Sequence, residues 1–320
     1  MKQINLFDVK KENSLLKESF FKDLDKIFEE SNFTLGFNSG PVEQLEQEVC
    51  RLTGRKFALA VNSGTFALEA ASFALNITKG DEIIVPANTF LATASAPARY
   101  GATIVLADIE YDTMNISRRT VEKVFTKKTK AIYAVNLYGS CVDYSELQDF
   151  GVPIVEDAAH SFMAVSNGKF SGSLGNISTF SFFPTKVFGS IGDAGMLLFD
   201  DEGIYESLRA YRNCGQSKSH FGEVVSSVGR MHVIQAAFLL NKLEIADKLV
   251  LHRREIAEIY DSYFKNCEFV RPQKILEGNI SSYFAYVIRV SDREKLTIKL
   301  NESKIPWTIQ YRYLLSEQPF

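Results

Sequence analysis

Residues 178–195 read STFSFFPTKVFGSIGDAG, with Lys186 at their centre. The apolar, alternating run 179–183 has the composition of a strand, and Pro184 ends it. A single lysine follows, in a loop that carries Gly189, Gly192 and Gly195. Strand ends of α/β sheets are where ligands sit. A lysine partly removed from water there loses its proton near neutral pH and becomes able to form a Schiff base. An ordinary solvated loop lysine has the same local spelling, so the surrounding chain must decide.

Upstream, residues 154–160 read IVEDAAH. A strand of β-branched residues delivers an acidic side chain to its C-terminal end, where a carboxylate needs a cationic partner. The protonated pyridine nitrogen of pyridoxal phosphate is one that fits, with Asp157 keeping the ring an electron sink and Lys186 holding the aldehyde. Asn62-Ser63-Gly64-Thr65 follows the short strand 57–61 and opens a helix. Amide groups at a helix start, the Thr65 hydroxyl and the freedom of approach at Gly64 suit a phosphate dianion. The same letters also spell a plain helix cap.

Seven stretches now form a recognisable series: NSGTFALEAA (62–71), DEIIVPANTFLATA (81–94), GATIVLADIEYDTMNIS (101–117), TKAIYAVNLYG (129–139), VEDAAHSF (155–162), GSLGNISTFSFFPTK (172–186) and RNCGQS (212–217). In this order they resemble the DegT/DnrJ/EryC1/StrS family of sugar aminotransferases, and the resemblance runs from about Asn5 to the last residue. It implies an α/β protein of fold type I among the pyridoxal-phosphate enzymes. The expected large domain, residues 1–240, holds a mainly parallel seven-stranded sheet covered by helices, with an arm and first helix over 1–40. A smaller α+β domain, 241–320, follows. Relatives continue for several tens of residues, so this second domain is expected to be trimmed or incomplete. The resemblance also implies a homodimer that carries nitrogen from glutamate or glutamine to a keto-sugar linked to a nucleotide, through a Schiff base of pyridoxal 5'-phosphate on Lys186; the cysteine pattern adds the expectation of a cytoplasmic setting.

The resemblance assigns further roles. Ser181 joins the phosphate shell, Phe90 stacks on the pyridine ring, and His160 contacts the cofactor near its phenolic oxygen. Three positions depart from the family pattern: Val228 stands nearest an asparagine that reaches the neighbouring subunit's phosphate, Ala194 replaces a glycine, and Ser316 replaces a common histidine. Dehydratases of the same fold carry histidine in place of the lysine, so Lys186 argues against that alternative. A non-catalytic homologue or fragment is the other alternative. A nucleotide-hydrolysing reading fails, because no GxxxxGK[ST] loop is present.

The remaining features set bounds. A chain of 320 residues, 46% hydrophobic and 23% charged, can bury a large core. A net charge of −3 offers no field to recruit nucleic acid or an anionic membrane, so anionic substrates need a local site. Cys50, Cys141, Cys214 and Cys267 lie far apart with no CxxC pair, which signals neither a disulfide framework nor a metal site and suits a reduced compartment. No window approaches a membrane span of about 20 apolar residues.

Strand-like runs recur at 57–61, 82–86, 103–108, 131–136, 153–157, 178–182 and 195–199, with helical stretches between most of them. That alternation predicts a mainly parallel sheet covered on both faces. Leu16, Phe20, Leu24, Ile27 and Phe28 recur at helical spacing, and Gly36 and Gly40 close that segment. Beyond Gln235 the spacing predicts one long helix, Ala236 to about Tyr263, and 282–290 predicts an alternating strand.

Overall fold

The computed structural model describes residues 4–34, 40–217 and 221–319; Gly36 lies outside them. The principal strands are β1 (Phe57–Val61), β2 (Glu82–Pro86), β3 (Thr103–Ala107), β4 (Thr129–Val135) and β5 (Ile154–Asp157). A ribbon of β6 (Val165–Ser166) and β7 (Lys169–Phe170) precedes β8 (Ile177–Ser181) and β9 (Gly195–Phe199). Further on come β10 (Val270–Pro272), β11 (Asn279–Ile280) and β12 (Ile288–Val290). The main sheet has seven strands in the order β1-β9-β8-β5-β4-β2-β3. The expected seven runs form it, each within two residues of the expected bounds. β9 alone is antiparallel, to both β1 and β8.

Among the described residues ten α-helices accompany the strands: α1 (Val9–Glu29), α2 (Pro41–Thr53), α3 (Gly64–Ala74), α4 (Leu91–Ala98), α5 (Arg118–Glu122), α6 (Tyr144–Gln148), α7 (Tyr205–Arg212), α8 (Val233–Leu243), α9 (Ala246–Phe264) and α10 (Arg293–Glu302). The two-residue period of a strand divides their packing between the two faces. Ala58, Ala60, Met196 and Leu198 join the apolar cluster under α1, α2 and α8. Leu59, Val61, Leu197 and Phe199 join the cluster under α3 and α4. Helices therefore cover both faces, as the unbroken apolar strands require.

Two expectations are corrected. The long helix from Ala236 breaks at Glu244–Ile245 into α8 and α9. The Ile245 amide donates to Lys242 O at 3.1 Å, a tightened last turn, and Ile245 packs against the core. No Gly or Pro marks the break, so packing alone makes it. In 282–290 only Ile288–Val290 is strand. The rest turns inward, with Tyr283 at φ 47° and Ser282 N donating to Gly139 O at 3.0 Å. Ala194, by contrast, is accommodated: its φ is not positive, so its methyl adds no backbone strain.

Glu156, next to Asp157, is fully buried and organises the strand ends. Its Oε1 accepts from Asn136 Nδ2 at 2.9 Å, Ser171 Oγ at 2.8 Å and Gly172 N at 2.9 Å. Its Oε2 accepts from Leu174 N at 2.9 Å and Ser178 Oγ at 2.6 Å. All these partners donate. In Glu156→Gln one oxygen becomes an NH2 facing them, so we expect a loss of roughly 3 kcal/mol in chemical denaturation. A loss below about 1 kcal/mol would mean that the loop 171–178 rearranges freely.

Candidate active site

The C-terminal ends of β1, β5 and β8 and the N-terminal end of β9 meet on one edge of the sheet. A cavity of about 530 Å³ opens there, and Gly64, Thr65, Phe90, Asp157, His160, Ser181 and Lys186 all line it. All seven residues expected at the site from the sequence are thus brought together.

Each is placed by a local cause. Asp157 ends β5 opposite Thr179 of β8, and Ser181 ends β8 opposite Gly195 of β9. Gly64 begins α3, and a methyl group on it would lie 2.7 Å from Ser181 Cβ. The close approach that this glycine allows is therefore to the sheet, which brings the helix start against the Ser181 hydroxyl. Ser63 caps α3, its Oγ accepting from Phe66 N at 3.1 Å. The first-turn amides of α3, which have no acceptor inside the helix, form the natural anion seat.

Asp157 is buried, and burial raises its proton affinity. Thr93 Oγ1 donates to its Oδ2 at 2.8 Å and Ala159 N to its Oδ1 at 3.2 Å; both favour the carboxylate, as does the charge of Lys186. His160 lies flat on the Phe284 ring, centroids 4.1 Å apart. The Tyr138 amide donates to its Nδ1 at 3.3 Å, so the ring proton sits on Nε2. Burial, reinforced by Lys186, holds His160 well below the usual histidine range and therefore neutral. The Lys186 ammonium lies 4.9 Å from the Phe284 centroid, and burial brings its pKa down to about 8 against the pull of Asp157.

That value has a kinetic consequence. The nucleophilic form of Lys186 gains population as pH rises through about 8. We expect capture of an added aromatic aldehyde phosphate, followed by absorption in stopped flow, to accelerate with pH and level off above it. A rise continuing toward the ordinary lysine range of ~10.4 would refute the desolvated environment.

Thr93 and Phe284 were not anticipated from the sequence, whereas Gln310 and Tyr311 belong to the run 305–320, which resembles the family's segment at the substrate mouth. Thr93 stands three residues beyond Phe90, one helical turn into α4, and that spacing was the available signal. Phe284 lay hidden in the run expected to be strand. The Tyr138 hydroxyl donates to Gln310 O, fixing the segment 308–311 as a wall of the cavity. Phe90 is 55% exposed, its ring 6.2 Å from that of Tyr311. Val228 does not replace an asparagine: its carbonyl accepts from Asn62 Nδ2 at 2.9 Å, while its side chain faces solvent. Arg230 is engaged with Asn213 at 2.6 Å, and Ser316 is exposed.

A lysine and a buried carboxylate facing one cavity, on a mainly parallel seven-stranded sheet beside a helix N-terminus, define an α/β protein of the pyridoxal-phosphate aminotransferase architecture. The model of the DegT/DnrJ/EryC1/StrS aminotransferase family matches residues 15–320, and the chain belongs to that family. It is 32% identical over 320 residues to the UDP-2-acetamido-2-deoxy-3-oxo-D-glucuronate aminotransferase of Pseudomonas aeruginosa, covering 99% of this chain and 88% of that one. It is 32% identical to the dTDP-3-amino-3,6-dideoxy-alpha-D-galactopyranose transaminase of Aneurinibacillus thermoaerophilus, over 96% of this chain and 84% of the other. Among solved structures, S. venezuelae DesV in complex with a ketimine intermediate superposes with a TM-score of 0.95 at 28% identity, covering 100% of this chain and 86% of that one.

Proposed function

We propose that this aminotransferase moves an amino group from glutamate or glutamine to a keto-sugar carried on a nucleotide, with Lys186 and Asp157 as its catalytic residues. Its cofactor is pyridoxal 5'-phosphate. The observation that carries the reading is the single cavity in which a desolvated lysine, a buried carboxylate and a helix start converge.

The residues present suit that cofactor. The α3 N-terminus with Thr65 and Ser181 would hold the phosphate, Phe90 the ring face, His160 Nε2–H the phenolic oxygen and Asp157 the ring nitrogen. When bound, the cofactor supplies an aldehyde that accepts nitrogen and a ring that absorbs an electron pair. The rest falls to the chain. Lys186 holds the aldehyde until an amine displaces it, and its freed amine then moves the proton at the reacting carbon. Thr93 and Ala159 donate to Asp157 and favour its carboxylate against burial, and that carboxylate would hold a proton on the ring nitrogen. Neutral His160 donates one hydrogen bond without adding a second positive charge beside Lys186. The walls 308–311 and Phe284 exclude water from the face where the proton moves.

The relatives' names support a nucleotide-linked sugar as acceptor. Exposed apolar side chains at Phe221, Val225 and Val228, the last bonded to Asn62 through its carbonyl, support a homodimer. Among the described residues no helix is long and apolar enough to cross a membrane. Lys186 argues against a dehydratase. The test is the absorption spectrum of the chain with added pyridoxal phosphate before and after glutamate or glutamine, followed by turnover on UDP-, dTDP- and GDP-linked keto-sugars. A cofactor band that neither amino donor alters would sink the reading.

A further inference from the structure

Two tethers join α1 to α8, and one of them continues into the loop that carries Lys186. Lys242 of α8 is buried, 1% exposed; its ammonium is ion-paired with Glu12 of α1 and donates to Gly189 O at 2.9 Å. Beside it, Asn241 Nδ2 donates to Asp23 Oδ2 of α1 at 2.5 Å. Gly189 lies hard against Pro184, since a methyl group on it would come within 2.3 Å of the Pro184 carbonyl. Lys186 N donates to Phe183 O and Ser190 N to Phe182 O, each at 2.8 Å. The loop is closed on itself, and Lys242 holds it from behind.

A buried ion pair recovers in attraction about what it loses in desolvation, and an apolar pair of the same volume would join two helices at least as well. The Gly189 carbonyl supplies a reason for the charge, because an ammonium offers three donors to separate acceptors. Burial works against the charge on Lys242, and Glu12 restores it. Arg253 draws on the same carboxylate, and its NH1 donates at 3.4 Å to the carbonyl of Tyr283, the residue before Phe284.

We propose that Lys242 is a positioning residue for Lys186, and that Glu12 is the counter-charge, delivered by α1, that keeps it in place. Docking of the N-terminal helix and placement of the Schiff-base lysine are then one coupled element. The proposal rests on the reading of Lys186 as the cofactor-capturing amine. The ionisable groups around Lys186 are Asp157 and His160 beyond β5, Asp193 in its own loop and Tyr311 from the 308–311 wall; around Lys242 they are Glu12 and Arg253.

The test uses the cofactor-free full chain, trace-labelled with acetic anhydride across a pH series and read lysine by lysine from peptide masses, with exposed Lys123 as internal standard. In the parent chain Lys186 is expected to titrate near 8. In the double variant Glu12→Gln/Lys242→Met, which removes both members of the pair and leaves Arg253 its bond to the Tyr283 carbonyl, the Lys186 midpoint moves up by about one unit or more toward ~10.4. Lys242→Arg, which keeps charge and donors, stays near the parent value. A double variant that is folded, even if less stable, with its Lys186 midpoint unmoved overturns the proposal and leaves the function intact. A parent midpoint already in the ordinary lysine range overturns the reading of Lys186 itself, and the proposal with it.

Discussion

Lys186→Ala is expected to lower turnover by about four orders of magnitude or more, since under the proposed mechanism the chain loses both the amine that captures the cofactor and the group that moves the proton. The cofactor-free variant remains folded. Burial disfavours the Lys186 ammonium, so the folded chain holds that proton only up to about pH 8, whereas the unfolded chain holds it to the ordinary lysine value of ~10.4. The lysine therefore detracts from stability below pH 8. Its removal leaves the chain at least as stable as the parent at pH 7, and the difference shrinks between about pH 8 and 10.4. Paired denaturation curves at pH 7 and 10 check this; a variant less stable at pH 7 by more than about 2 kcal/mol would show that the lysine stem contributes more packing than the charge detracts.

Asp157→Asn retains the shape and one acceptor oxygen for Thr93 or Ala159, yet loses the charge. We expect turnover to fall roughly 10³-fold, the scale of a lost preorganised electrostatic partner, while Lys186 still captures the cofactor. An intact cofactor band with failed exchange on glutamate addition separates this from a collapsed site. Burial raises the proton affinity of Asp157, so its contribution to stability is full below the ordinary carboxylate range and is lost as pH rises through the folded value. The cofactor-free Asp157→Asn chain escapes the burial of a charge but turns an NH2 toward Thr93 or Ala159 and leaves the Lys186 ammonium without its counter-charge, so it is expected to melt no higher than the parent at pH 7.

The sheet was legible because its strands obey a local rule. Runs of β-branched and aromatic residues, bounded by turn residues, state both their length and their burial on two faces, and β1, β2 and β9 fall on the expected residues. The seven residues expected at the site meet in one cavity because Gly64, Thr65, Phe90, Asp157 and Ser181 sit at strand ends or helix starts, positions that local sequence marks, and His160 and Lys186 follow two of those strand ends within five residues. Phe284 was not, since its alternating neighbours satisfy the strand pattern until Ser281 Oγ and Ser282 N bond to Gly139 O and turn the chain inward. The break at Ile245 was hidden for the same reason: it answers to packing across the chain. Lys242 and Glu12 read in sequence as ordinary charged residues of two amphipathic helices, and only the meeting of α1 with α8 places them behind the catalytic loop.

The reversed direction of β9 bears on how such a site can change over generations. Because β8 returns directly into β9, residues 182–194 form a hairpin rather than a crossover, and the lysine is carried by a contact between sequence neighbours. Asp157, by contrast, reaches the same edge through the crossover from β4 to β5, and the α3 start follows β1 at the border of the sheet. A deletion or duplication of one residue in that hairpin would change how far the amine extends while leaving the pairing of Ser181 with Gly195 intact. The reach of the nucleophile is thus open to small heritable adjustment without renegotiating the sheet, whereas moving the carboxylate would require shifting a central strand.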